Sequence, residues 1–182
     1  MQLDAITRWR LRLAAVAAGL VAIHLGWEWS QGGIASHYFL ADPSNPWISN
    51  AWGLLWLPLL AFLYAPSIRR RAVGTGERAR WRPSIVAGLL GGLIVGSSIS
   101  AFIMFEPAID GIWILVGMLA LSLVFPVWRG ETVLGFLVGA MVGIGAILPS
   151  IFAFAFAALS LAVHRGLVPG LRYLWRRLRG SA

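Results

Sequence analysis

The chain has 182 residues, of which 59% are hydrophobic and only 12% charged, and its mean hydropathy is +0.78. Soluble domains carry roughly 25% charged residues, so this composition cannot build a water-facing surface, and a soluble globular fold is excluded. The net charge of +8 comes from fifteen arginines with no lysine. They sit in short clusters between long apolar runs, as in cytoplasmic loops beside anionic lipid, and this argues against nucleic acid as the partner.

A helix rises 1.5 Å per residue, so about 20 apolar residues cross a hydrocarbon core about 30 Å thick. The first predicted span, 13–29, follows Arg8, Arg10 and Arg12. Its outline is that of a signal peptide, but the apolar run continues into Trp27-Glu28-Trp29, so a retained span is expected. Residues 30–49 form a long loop with a turn-rich stretch at Asp42-Pro43-Ser44-Asn45-Pro46. The second span, 50–65, contains Pro58, which predicts a kink. A basic loop, 66–83, follows, then the third and fourth spans at 84–105 and 109–128.

Taken as one helix, the stretch 132–164 would be about 50 Å long, more than a bilayer needs. Two spans, 132–148 and 150–168, are expected instead, meeting at Pro149-Ser150. Six spans place all fifteen arginines on one side, which the positive-inside rule makes cytoplasmic. Five spans, the runner-up, would strand Arg165, Arg172, Arg176, Arg177 and Arg179 on the other side. Tryptophan placement agrees with six, with Trp27, Trp29, Trp47, Trp52 and Trp113 at the outer interface and Trp81 and Trp128 at the inner one.

The expected fold is therefore an all-α integral membrane protein, a bundle of six transmembrane helices with both termini cytoplasmic. Residues 1–168 form a single bundle, and residues 169–182 form a basic amphipathic tail on the inner membrane surface. A multi-pass protein of a bacterial inner membrane, with anionic lipid at its inner face, fits this pattern.

Small residues recur every four positions at Gly88, Gly92, Gly96 and Ser100, and again at Gly135, Gly139 and Gly143. Each row makes a flat helix face that admits a neighbouring backbone closely. Packing of span three against span five is expected, with a homo-oligomer or larger membrane complex as the alternative use of these faces.

Ionisable groups are expensive in a membrane and so point to function. His24 and Glu28 lie four apart on one face of span one, with His37 and Asp42 in the outer loop. Asn50, Ser97, Ser100, Met104, Glu106 and Asp110 fall at similar depth. Histidine with carboxylates suits a divalent, zinc-like ion. His24, Glu28 and His37 are its candidate ligands, with Asp42, Asn50, Glu106 and Asp110 in support.

The resulting expectation is a membrane protein with an outward-facing pocket for a divalent metal or small ligand. Three alternatives stand beside it: an enzyme using Glu28 or His24 as general base on a lipid or small apolar substrate, an accessory subunit, or a transporter. In the plainest reading His24 and Glu28 only pin the outer loop. Haem is not expected, because His24 and His164 fall near opposite faces. Nucleotides are not expected either, since no phosphate-binding loop is present. Without cysteine, disulfides and thiolate sites are excluded.

Overall fold

A computed structural model of the chain describes residues 4–38, 44–72, 82–105 and 111–170. Asp42, Glu106, Asp110 and Trp81 lie outside the described residues, as do residues 73–81 of the basic loop and residues 171–182 of the expected tail.

Among the described residues, six α-helices carry the fold: α1 (Ala5–Ser30), α2 (Gly53–Ala72), α3 (Pro83–Phe105), α4 (Gly111–Val124), α5 (Gly130–Ile144) and α6 (Ile147–Ala162). Two short strands, β1 (Ser36–Tyr38) and β2 (Trp47–Ser49), pair antiparallel between α1 and α2, with His37 opposite Ile48. Among the described residues, four stretches are long and apolar enough to cross a membrane: Ala5–Ser30, Asn50–Ala72, Pro83–Phe105 and Ile147–Gly170. The outward face of the bundle is apolar, with Leu55, Leu63, Ile94 and Val124 all at least 60% exposed. Polar Glu28, Asn50, Ser122, Glu131, Ser150 and Ser160 are buried instead. This is the build of an all-α membrane protein, since water would not tolerate such a surface.

Contacts along the helices fix their directions. Arg10 of α1 lies over the Phe62 ring of α2, and Val21 lies against Gly53, so α1 and α2 are antiparallel. In α3, Gly88, Gly92 and Gly96 meet Thr132, Phe136 and Ala140 of α5 in order, so α3 and α5 run parallel, with α4 returning between them in sequence. Trp56 Nε1 near the start of α2 donates to Ser150 Oγ near the start of α6 at 2.8 Å. At the far end, Ser160 Oγ of α6 donates to the Phe125 carbonyl just past α4 at 2.8 Å. One end of the bundle therefore holds the β-hairpin, and the other gathers the described arginines.

The core is centred on α5, with ten of its fifteen residues buried. The glycine rows of α3 and α5 face each other, as the four-residue spacing predicts. A Cβ added at Gly92, Gly96, Gly135 or Gly139 would press on backbone atoms of the opposite helix. Ser100 closes the row by donating to the Ala140 carbonyl at 2.8 Å and accepting from Gly143 N at 3.2 Å. These faces meet each other inside the chain.

Several boundaries differ from expectation. The helix α2 runs through both Pro58 and Pro66 and carries Arg69, Arg70 and Arg71 in its last turn, so residues 66–72 are helix and not loop. The break between α5 and α6 falls at Gly145, whose φ of +69° suits glycine, and not at Pro149-Ser150. Pro149 sits in the first turn of α6, where its missing N–H costs no helical bond.

Candidate functional site

At the hairpin end, α1 presents His24 and Glu28 on one inward face, at 8% and 6% exposure. His24 Nε2 lies 3.1 Å from Glu28 Oε1. Glu28 Oε1 also accepts from Asn50 Nδ2 at 2.5 Å, and Oε2 accepts from the Ala35 amide at 3.1 Å. Asn50 N in turn donates to the Ala35 carbonyl at 3.0 Å, extending the hairpin ladder. The chain leaves α1 through Gly32 and Gly33, both at positive φ. One carboxylate thus ties together the end of α1, the hairpin and the start of α2. A buried carboxylate needs such donors.

The structure brings His24, Glu28 and Asn50 together and sets His37 apart. His37 lies beside Gly145, on the Oδ1 side of Asn50. His37 and Asn50 line a space of about 20 Å³, enough for about one water. Ser100, expected in the same polar layer, is spent on the α3–α5 contact. Among the described residues, no three His, Asp or Glu side chains come together as a metal site.

A second polar site lies at the arginine end, centred on Glu131, a carboxylate that the sequence patterns did not single out. Glu131, in the first turn of α5, is 2% exposed and forms an ion pair with Arg71 in the last turn of α2. Each charge sits where its helix dipole favours it. Oε2 takes the guanidinium, whereas Oε1 has no hydrogen-bond partner among the described residues. The Glu131 stem packs on Gly88, where a Cβ would stand 2.9 Å from Cγ.

Beside this pair opens a cavity of about 490 Å³ between α3, α4, α5 and α6. Gly91, Val95, Met118, Phe136, Ala153 and Phe156 make its apolar wall, while Ser84, Arg129 and Thr132 line it at the arginine end. From Ser84 to Val95 it follows α3 for about 16 Å. The volume falls within the roughly 300–1,000 Å³ of small-molecule sites.

No protein family, curated protein or solved structure matches the chain.

The cavity has a structural cause. The glycine rows draw α3 and α5 together, while α4 packs chiefly on α6. His164, beyond α6, holds α4 in that position: its Nε2 lies 3.3 Å from the Val124 carbonyl, and its ring lies 5.1 Å from that of Trp128. The bulky side chains of α4 then leave a gap toward the tightly closed α3–α5 pair. Met118, Phe136 and Phe156 project around it without filling it.

Proposed function

We propose that this chain is a six-span protein of a bacterial inner membrane, arginine end cytoplasmic, that binds an apolar, chain-like molecule from the bilayer in the α3–α6 cavity. The alternating helix directions support six spans, although α4 and α5, at about 21 and 22 Å, are shorter than a hydrocarbon core of about 30 Å. The clustered arginines support the orientation. The elongated, apolar cavity of about 490 Å³ carries the binding reading.

Gly91 provides the test. It lines the cavity, and a Cβ there meets nothing within 4 Å, so Gly91→Leu adds bulk to the cavity without striking a neighbouring helix. Native mass spectrometry of protein extracted in mild detergent should show a retained lipid-like adduct on the unmodified chain and its loss from Gly91→Leu. Equal adducts on both proteins would refute the reading.

A second reading is a divalent ion at His24 and Glu28. It is favoured by His24 Nε2, which is buried without a hydrogen bond and faces Glu28 Oε1 at 3.1 Å. Two tetrahedral ligands at about 2.1 Å from zinc stand at a comparable separation. The remaining ligands would come from Asp42, Glu106 or Asp110, outside the described residues. Elemental analysis of the purified protein tests this: metal lost in His24→Ala supports the ion, and no metal in the parent protein rejects it.

A further inference from the structure

Resting on the cavity reading, we propose that the occupant is a single-chain anionic amphiphile, a fatty carboxylate, whose headgroup is held by Arg129 while its hydrocarbon chain fills the cavity.

The wall divides by chemistry along its length. Val95, Met118, Phe136 and Ala153 offer only hydrocarbon and a thioether, while Ser84, Arg129 and Thr132 bring two hydroxyls and a guanidinium to the arginine end. A ligand matching this division has an apolar tail and an anionic head. Arg129 is also the residue that precedes the first turn of α5, so the positive end of that helix dipole adds to its charge. A guanidinium fork matches a carboxylate bidentately.

Neighbouring charges leave Arg129 available. The carboxylate nearest in sequence, Glu131, is taken by Arg71. That pairing also removes the negative charge that would repel an anion. Among the described residues, Arg129 forms no ion pair.

Size points to one chain. A methylene takes about the room of a water, about 30 Å³, so about 490 Å³ holds on the order of fifteen carbons. One guanidinium likewise balances one carboxylate.

The experiment uses the full chain in nanodiscs of phosphatidylcholine and measures equilibrium binding of a fluorescent palmitate analogue and of its methyl ester. The acid should bind about tenfold or more tighter than the ester, the effect of one hydrogen-bonded charge. Arg129→Gln should erase that preference, and Arg129→Lys should restore part of it. Gly91→Leu should weaken both ligands. Helical circular dichroism and a monodisperse elution profile check that each variant is folded.

Separate outcomes separate the two claims. Acid and ester binding equally, unchanged in Arg129→Gln but lost in Gly91→Leu, would overturn the carboxylate assignment and leave the cavity reading standing. No saturable binding of either would overturn both. Displacement of the probe by phosphatidylglycerol but not by unlabelled palmitate would overturn the single-chain assignment in favour of a two-chain phospholipid.

Discussion

Adjacent alanines on α3 should have opposite effects on stability. At Gly92, an added Cβ would press on the Thr132 carbonyl oxygen and the Phe136 nitrogen, both backbone atoms of α5. Neither can rotate aside, so Gly92→Ala must push the two helices apart. Overpacking of this kind costs about 1–3 kcal/mol, and backbone against backbone belongs at the upper end. Gly91 is one residue earlier, about 100° around the helix, and its Cβ would meet nothing within 4 Å. There alanine brings only its helix propensity, a gain of up to about 1 kcal/mol. The propensity gain is common to both alanines, so the two variants should differ by the overpacking cost alone, about 1–3 kcal/mol. Thermal unfolding in detergent, followed by circular dichroism, should show a clearly lower midpoint for Gly92→Ala and a midpoint at or above the parent's for Gly91→Ala. Equal midpoints would mean that α3 and α5 do not meet at their backbones.

Arg71→Ala should destabilise by about 3–5 kcal/mol, because it strands the Glu131 carboxylate in the core. Glu131→Gln should cost less, since Arg71 is 33% exposed and can reach water. Combining Arg71→Met with Glu131→Gln should recover much of the loss in the same unfolding assay. Glu28→Ala should loosen the hairpin by removing the acceptor of the Ala35 amide and the Asn50 side chain. Hydrogen exchange at Ala35 should then quicken while α5 amides stay protected, and an unchanged Ala35 would refute the tether. Asp4 caps α1 by accepting from the Thr7 amide at 2.6 Å, and this backbone hydrogen bond holds its pKa below the ordinary 3.8. A depressed carboxylate stabilises above its unfolded pKa and loses that effect as pH falls through the folded value. The first turn of α1 should therefore fray in acid but not at neutral pH, and Asp4→Asn should flatten that dependence in amide exchange at Thr7.

Hydropathy alone located the helical runs, because a membrane span is an uninterrupted local signal. The glycine rows were equally legible, since spacing by four defines a helix face without knowledge of the partner. The same spacing paired His24 with Glu28. The α5–α6 break was not legible from composition. Residues 132–164 are apolar almost throughout, and Pro149 is the conspicuous helix breaker, yet the left-handed turn falls at Gly145. Glu131 was missed for a related reason. Next to Arg129 and Gly130 it looks like part of a polar connection, but α5 already begins at Gly130 and carries the carboxylate inward. The hairpin register that sets His37 opposite Ile48 is a long-range pairing that no local pattern encodes.

The cavity and the two glycine rows are consequences of one another. Inside a bilayer, apolar burial gives helices little reason to associate, so close approach depends on small residues. Both α3 and α5 have such faces; α4, with Ile112, Trp113, Leu115 and Leu119 exposed, directs its bulk outward and rests on α6. A gap beside α4 follows. Water is a poor filler there, because a buried water needs two to four polar partners and most of this wall supplies none. Leaving the space empty forfeits dispersion contacts along every lining side chain. The hydrocarbon around the protein is the filler nearest to hand, and the guanidinium at one end gives a charged headgroup an advantage over a neutral one. Occupancy of the cavity and stability should therefore be linked: a ligand that binds only the folded bundle must raise its unfolding midpoint. Added palmitate should raise the midpoint of the parent chain, while Gly91→Leu, whose side chain takes up part of the cavity, should gain less.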